Sequence, residues 1–80
     1  MGEKLNTALG RRLVEVRKAK GSTQEQLAYA SGIDRSYVGK IERGQMNVTL
    51  KKLYILAHCL SCHPCELLPE FNQFVAGADH

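Results

Sequence analysis

Five side chains able to bind a soft metal ion fall within eight residues of this chain. They follow the spacing H-C-x-x-C-H-x-C and are His58, Cys59, Cys62, His63 and Cys65. Zinc prefers thiolate and imidazole ligands, but structural zinc sites usually take paired ligands from two separated segments. The sequence has no second cluster of this kind. We therefore predict neither a metal nor another cofactor, and metal binding or redox sensing by the thiols is the alternative.

A second group of polar side chains has the types and spacing expected for contacts with DNA bases. Val38 and Ile41 form the apolar side of one predicted helix. The opposite side of that helix carries Arg35, Ser36, Tyr37 and Lys40. The planar guanidinium of Arg35 matches the O6 and N7 acceptors of guanine, so Arg35 is the best candidate for a direct base contact. The alternative is a charged helix face that contacts only solvent.

Residues 23–44 contain the elements that must position these side chains. Thr23 and Gln26 have the spacing of a capping box, which predicts that a helix begins at Thr23. Gly32 suits the left-handed position that ends this helix, and Asp34 suits the N-cap of the next. Two short helices joined by such a tight turn form a helix-turn-helix, whose second helix enters the major groove of DNA.

The apolar spacing in the rest of the chain predicts three further helices. The first runs from Asn6 or Thr7 to about Lys20. A fourth is capped by Thr49, and a short fifth has Pro64 in its first position. We predict an all-α, compact five-helix fold that contains this helix-turn-helix. Its single domain spans residues 1–80, with a core over about residues 6–68 and a tail or dimerisation element at 69–80.

The charge is distributed unevenly along these 80 residues. Nine basic and five acidic side chains up to Arg43 give +4, and the rest of the chain contributes −1, for a net charge of +3. A basic N-terminal half suits a polyanionic partner. Neither a membrane span, a secretory signal nor a catalytic motif is visible, so we expect a cytoplasmic protein that is not an enzyme. The three cysteines are then expected to be free thiols.

The same residues resemble a known family. The motifs G-x-TQ-x-x-LA from Gly21, then SGID, IERG and N-x-T, are similar to those of the lambda-repressor/Cro-like (XRE) helix-turn-helix proteins. The sequence DRSY before IERG is similar to that of controller proteins of restriction–modification systems. This resemblance implies a transcription regulator that binds double-stranded DNA.

Thr23 and the basic Arg43 are predicted to contact DNA phosphates. The resemblance implies phosphate contacts by Gln24 and Asn47 as well, with an ordinary polar residue of a first helical turn and an ordinary loop residue as the alternatives. It also implies a structural ion pair between Arg17 and Glu42. In addition, it places Cys62 and Cys59 where relatives have valine and alanine, which favours a packing role for both thiols.

A single domain of this size buries little DNA surface, so we expect a homodimer on a pseudo-palindromic operator, with the two recognition helices about 34 Å apart. The predicted dimer interface comprises Leu67, Phe71 and Phe74. Autoregulation, or control of restriction–modification genes, is the expected biological role. The alternative is a protein-interaction adaptor or antitoxin-like module with the same fold.

Overall fold

The computed structural model describes the backbone of residues 2–70 and the side chains of residues 4–70. These residues form four α-helices and one 3₁₀ helix, and no strand occurs among them. The elements are α1 (Gly2–Ala19), α2 (Gln24–Ser31), α3 (Arg35–Glu42), α4 (Leu50–Cys59) and the 3₁₀ helix η1 (Pro64–Leu67). The predicted all-α class is confirmed, and the predicted fifth helix is the short η1. Over the described range, no helix is both long and apolar enough to span a bilayer.

Local capping fixes the ends of α2 and the start of α4. The Thr23 hydroxyl accepts a hydrogen bond from the Gln26 N–H at 3.0 Å, and the Gln26 side chain accepts one from the Thr23 N–H at 2.9 Å. Gly32 ends α2 at φ +74°, a conformation that costs glycine little. The Thr49 side chain accepts from the Lys52 N–H. These three predictions from the sequence are confirmed.

Asp34 differs from its prediction in the hydrogen bond it makes. It occupies the N-cap position of α3, but its carboxylate does not accept from the helix backbone. The carboxylate accepts instead from the Ser36 hydroxyl. The first turn of α3 is therefore not capped by a side chain, and Asp34 contributes only its main-chain carbonyl, which accepts from the Tyr37 and Val38 N–H groups, both at 3.0 Å.

Helix α1 begins earlier than the sequence predicts. It starts at Gly2 rather than at Asn6 or Thr7. The Asn6 side chain does not cap the helix, because its Nδ2 donates to Oδ1 of Asn47 in the loop after α3, at 2.7 Å. Lys4 and Leu5 are good helix formers, so the helix extends through them.

The core is formed by apolar side chains from all four α-helices and from η1. Its fully buried side chains are Leu13, Leu27, Val38, Ile41, Leu56 and Leu67. Helix α1 packs against α3 and η1, whereas α2 packs against both α3 and α4. The guanidinium of Arg12 donates to the Glu66 carbonyl from Nε and Nη2, at 3.0 and 2.7 Å, and so attaches η1 to α1. This arrangement leaves one side of α3 facing solvent.

Candidate nucleic-acid interface

The exposed side of α3 and the N-terminus of α2 form one concave surface, here called the α2–α3 patch. Its lining residues are Gln24, Arg35, Ser36, Gly39, Lys40 and Arg43. Three of these side chains are cations on α3 or at its C-cap, and all three are exposed to solvent. The patch therefore combines positive charge with the N-terminus of a helix, and both attract anions.

Two of the four predicted base-contact residues already have a partner in the same chain. The predicted base contacts Ser36 and Arg35 both have acidic neighbours. The Ser36 hydroxyl donates to Asp34, and Nη1 of Arg35 lies 3.7 Å from Oε1 of Glu25. Both members of the Arg35–Glu25 pair are mostly exposed, so solvent screens their attraction and Arg35 can exchange this partner for another.

Tyr37 does not line the α2–α3 patch. Its ring is half-buried and packs against the core, and Nζ of Lys52 lies 4.2 Å from the ring centroid. The apolar packing and the cation above the ring explain why Tyr37 lies beside α4 instead of beside Arg35 and Lys40. Tyr37 therefore lies outside the α2–α3 patch, and its base contact stays a prediction.

The predicted phosphate ligands occupy two separate places. Gln24 and Arg43 line the patch, and Nε of Arg43 donates to the side chain of Gln45 at 3.3 Å. Thr23 stands beside Gln24 and uses its hydroxyl as the cap of α2. Asn47 lies in the loop after α3, where it accepts from Asn6. The contact between Asn6 and Asn47 was not visible in the sequence.

The predicted ion pair between Arg17 and Glu42 is present and buried. Nε of Arg17 donates to Oε2 of Glu42 at 2.6 Å, and Nη2 donates to Oε1 at 3.1 Å. The side chains are only 10 % and 5 % exposed. A further donor was not predicted: Nε2 of Gln24 lies 2.7 Å from Oε1 of Glu42. The buried pair therefore contacts a residue of the α2–α3 patch directly.

The cysteine and histidine cluster has no metal-site geometry. Among the described residues, no three His, Cys, Asp or Glu side chains come together as a set that could bind a metal ion. Cys59 and Cys62 are half-buried against the core, as the packing interpretation predicts. Burial raises the pKa of the Cys62 thiol, and the nearby Glu66 carboxylate raises it further. A raised pKa lowers the thiolate fraction, which disfavours metal binding and redox reactivity at Cys62.

The predicted dimer interface needs one correction. Leu67 is only 1 % exposed, because η1 packs it into the core of the same chain, so it offers almost no surface to a partner. Phe71 and Phe74 lie outside the described residues. Large exposed apolar side chains among the described residues are Leu5 on α1, Tyr29 on α2, Leu50 and Tyr54 on α4, and Leu68 after η1.

Residues 13–67, which include α2, α3 and the short turn between them, match the helix-turn-helix family HTH_3. The chain belongs to this family. The helix-turn-helix resemblance seen in its motifs is therefore confirmed.

Three related proteins share this fold or sequence. The control protein C.SmaI of Serratia marcescens is 50 % identical over 46 residues, which are 58 % of this chain and 55 % of C.SmaI. The crystal structure of the restriction–modification controller C.AhdI of Aeromonas hydrophila is 52 % identical with a TM-score of 0.77, covering 79 % of this chain and 96 % of C.AhdI. The tetramer of the controller C.Esp1396I, solved with its natural 35-base-pair operator, is 35 % identical with a TM-score of 0.72, covering 79 % and 83 %.

Proposed function

We propose that the chain is a sequence-specific DNA-binding transcription regulator of the restriction–modification controller type. The observation that carries the proposal is the α2–α3 patch, where Arg35, Lys40 and Arg43 share one concave surface with Gln24. Membership of the helix-turn-helix family and the similarity to controller proteins support the same function. A regulator of this kind acts on DNA in the cytoplasm, which we include in the proposal.

The patch combines side chains suited to phosphates with side chains suited to base edges. Gln24 is the first residue of α2, where helix geometry leaves the first backbone N–H groups without intrahelical acceptors. Such a terminus suits a phosphate, which would fix the orientation of α3 on the duplex. Arg35, in the first turn of α3, would then contact a guanine edge, with Lys40 and Arg43 closer to the DNA backbone.

Replacing Arg35 by alanine should weaken binding to the preferred DNA sequence by about 1–3 kcal/mol and relax selectivity at one base pair. The reason is that a bidentate arginine contact discriminates between bases, whereas a phosphate contact does not. Fluorescence anisotropy with the tightest-binding duplex selected from a random pool, and with scrambled duplexes, measures both effects.

Arg11→Ala is the matched control for this experiment. Its loss changes the net charge by the same amount as the loss of Arg35. Arg11 is also exposed, but it lines a different concavity, beside Glu15 and Glu70. The control should reduce affinity for both kinds of DNA slightly and without a change in selectivity. An equal loss for selected and scrambled DNA with Arg35→Ala would contradict the base contact, and a wild-type chain without sequence preference would favour the adaptor function.

We also propose that the chain binds DNA as a homodimer through α4 and the segment after η1. Leu50 and Tyr54 are 69 % and 57 % exposed, and they lie four residues apart on one face of α4. Leu68 adds a third exposed apolar side chain. Neighbouring exposed apolar side chains such as Leu50 and Tyr54 mark a surface that a partner can cover, and a two-fold axis would pair the same face with itself.

Replacing Tyr54 by glutamate should weaken dimerisation by about 2 kcal/mol or more, because a buried tyrosine is often a main contributor to an interface and the carboxylate would have to be desolvated. Sedimentation equilibrium measures the dissociation constant of the dimer. Tyr29→Glu is the matched control, since Tyr29 is 92 % exposed on α2 and lies outside the proposed face. Equal dissociation constants for the two variants would contradict the α4 interface.

A further inference from the structure

We propose that Glu42 is a positioning residue for DNA binding, acting through the side chain of Gln24. The inference rests on the proposed function, in which Gln24 contacts a backbone phosphate. In this arrangement the buried carboxylate of Glu42 orients the Gln24 amide so that one of its N–H groups is directed at that phosphate.

The contacts of Glu42 are those of an orienting group. Its side chain is 5 % exposed, and it accepts hydrogen bonds from two atoms of Arg17 at 2.6 and 3.1 Å. The third donor is Nε2 of Gln24, at 2.7 Å from Oε1. Gln24 also lines the α2–α3 patch beside Arg35 and Arg43. One side chain therefore contacts both the buried pair and the surface proposed to meet DNA.

The chemistry of the carboxylate determines which end of the amide faces it. An ionised carboxylate only accepts hydrogen bonds, so Gln24 must approach Glu42 with its nitrogen and not with its carbonyl oxygen. A primary amide nitrogen carries two N–H donors. One donates to Glu42, and the planar geometry directs the other away from the carboxylate. This second donor is available to a phosphate oxygen, and the amide loses little conformational entropy on binding because it is already oriented.

The ion pair with Arg17 explains how the Glu42 carboxylate can lie close to the phosphates of bound DNA. An unpaired carboxylate next to the patch would repel DNA phosphates. The two donors from Arg17 compensate the charge of Glu42 within the buried pair. The pair therefore supplies directed hydrogen bonding to Gln24 without adding a net negative charge at the interface.

The experiment compares the effect of Gln24→Ala in two backgrounds. In the wild-type chain, this substitution should weaken binding to the selected duplex about 10-fold, as expected for a hydrogen bond to a charged group. In the Arg17→Met, Glu42→Leu double variant, the ion pair is replaced by apolar side chains of similar size, which usually preserves folding. The Gln24 amide is no longer oriented there, so Gln24→Ala should weaken binding only about 2- to 3-fold.

Arg35→Ala in the same two backgrounds is the control for a general disturbance of α3. Arg35 is on the same helix as Glu42 but pairs with Glu25, so its loss should have the same effect, within about twofold, in both backgrounds. If neither Gln24→Ala nor Arg35→Ala weakens DNA binding in the double variant, the whole interface has shifted, and the specific role of Glu42 is overturned. An unchanged effect of Gln24→Ala would overturn it as well.

A second measurement needs no substitution of the buried pair. In NMR spectra of the DNA-free wild-type chain, one Nε2 proton of Gln24 should exchange with solvent at least about 10-fold more slowly than the side-chain amide protons of exposed glutamines. The reason is that this proton is hydrogen-bonded to the buried carboxylate of Glu42. Fast exchange of both protons would overturn the inference. If the wild-type chain binds the selected duplex specifically but Gln24→Ala has no effect, the inference fails and the proposed function stands. Absence of specific binding by the wild-type chain would refute the proposed function.

Discussion

Glu42→Ala should lower the free energy of unfolding by about 3–5 kcal/mol. The substitution leaves the guanidinium of Arg17 nearly buried, with only the Ser22 carbonyl still accepting from it, at 2.9 Å. A buried charge without its counter-ion carries a desolvation cost that the pair otherwise offsets. Because a domain of this size has only a modest total stability, the variant should be close to unfolded at 37 °C. Urea denaturation followed by circular dichroism measures the change.

Glu15→Ala is the matched control for Glu42→Ala. Glu15 also pairs with an arginine, since Nη1 of Arg12 lies 2.8 Å from Oε1 of Glu15, but these side chains are 39 % and 64 % exposed. A pair in that environment contributes less than about 1 kcal/mol. The Arg17→Met, Glu42→Leu double variant should recover most of the stability lost in Glu42→Ala. Similar losses for Glu42→Ala and Glu15→Ala would contradict a buried, structurally important pair.

Gly10→Ala should destabilise the fold by about 3 kcal/mol, although alanine is the better helix former. Gly10 is buried in α1, where α1 crosses the C-terminal end of α3. A Cβ atom at this position would lie 2.5 Å from the Ile41 carbonyl oxygen and 2.6 Å from that of Glu42. Both atoms belong to the backbone, so α1 and α3 would have to separate, which would also disturb the neighbouring Arg17–Glu42 pair. Thermal unfolding measures the loss.

Gly39→Ala is the control for this prediction, because it makes the same chemical change inside another helix. The atoms nearest to a Cβ atom on Gly39 would be those at the end of the Arg43 side chain, with Nη1 at 3.1 Å, and that side chain is flexible. The fold should therefore be unchanged or more stable by up to about 1 kcal/mol, from the helix propensity of alanine. A Gly10→Ala variant as stable as Gly39→Ala would mean that the helices do not approach each other as closely as described.

Much of the proposed interface was predictable from the sequence, because its position depends on local chemistry. The capping box of Thr23 and Gln26 starts α2, and the left-handed Gly32 ends it, both through contacts within a few residues. The spacing of Val38 and Ile41 identifies the buried side of α3, which leaves Arg35 and Lys40 on the other side. Prediction was less accurate where more distant groups compete for a side chain. Asn6 contacts Asn47 instead of capping α1, and Leu67 is buried in its own chain.

The residues of this chain by themselves determined which segments are helical, where α2 begins and ends, and which side of α3 is apolar, since these depend on neighbours along the chain. The Arg17–Glu42 pair was predicted from the family resemblance, but only the tertiary structure decided that Glu42 also accepts from Gln24, and that Gly10 lies against the backbone of α3. The physical reason is that these contacts join residues 18 or more positions apart, so they depend on how the helices cross. A crossing geometry results from the packing of the whole core, and no local pattern encodes it.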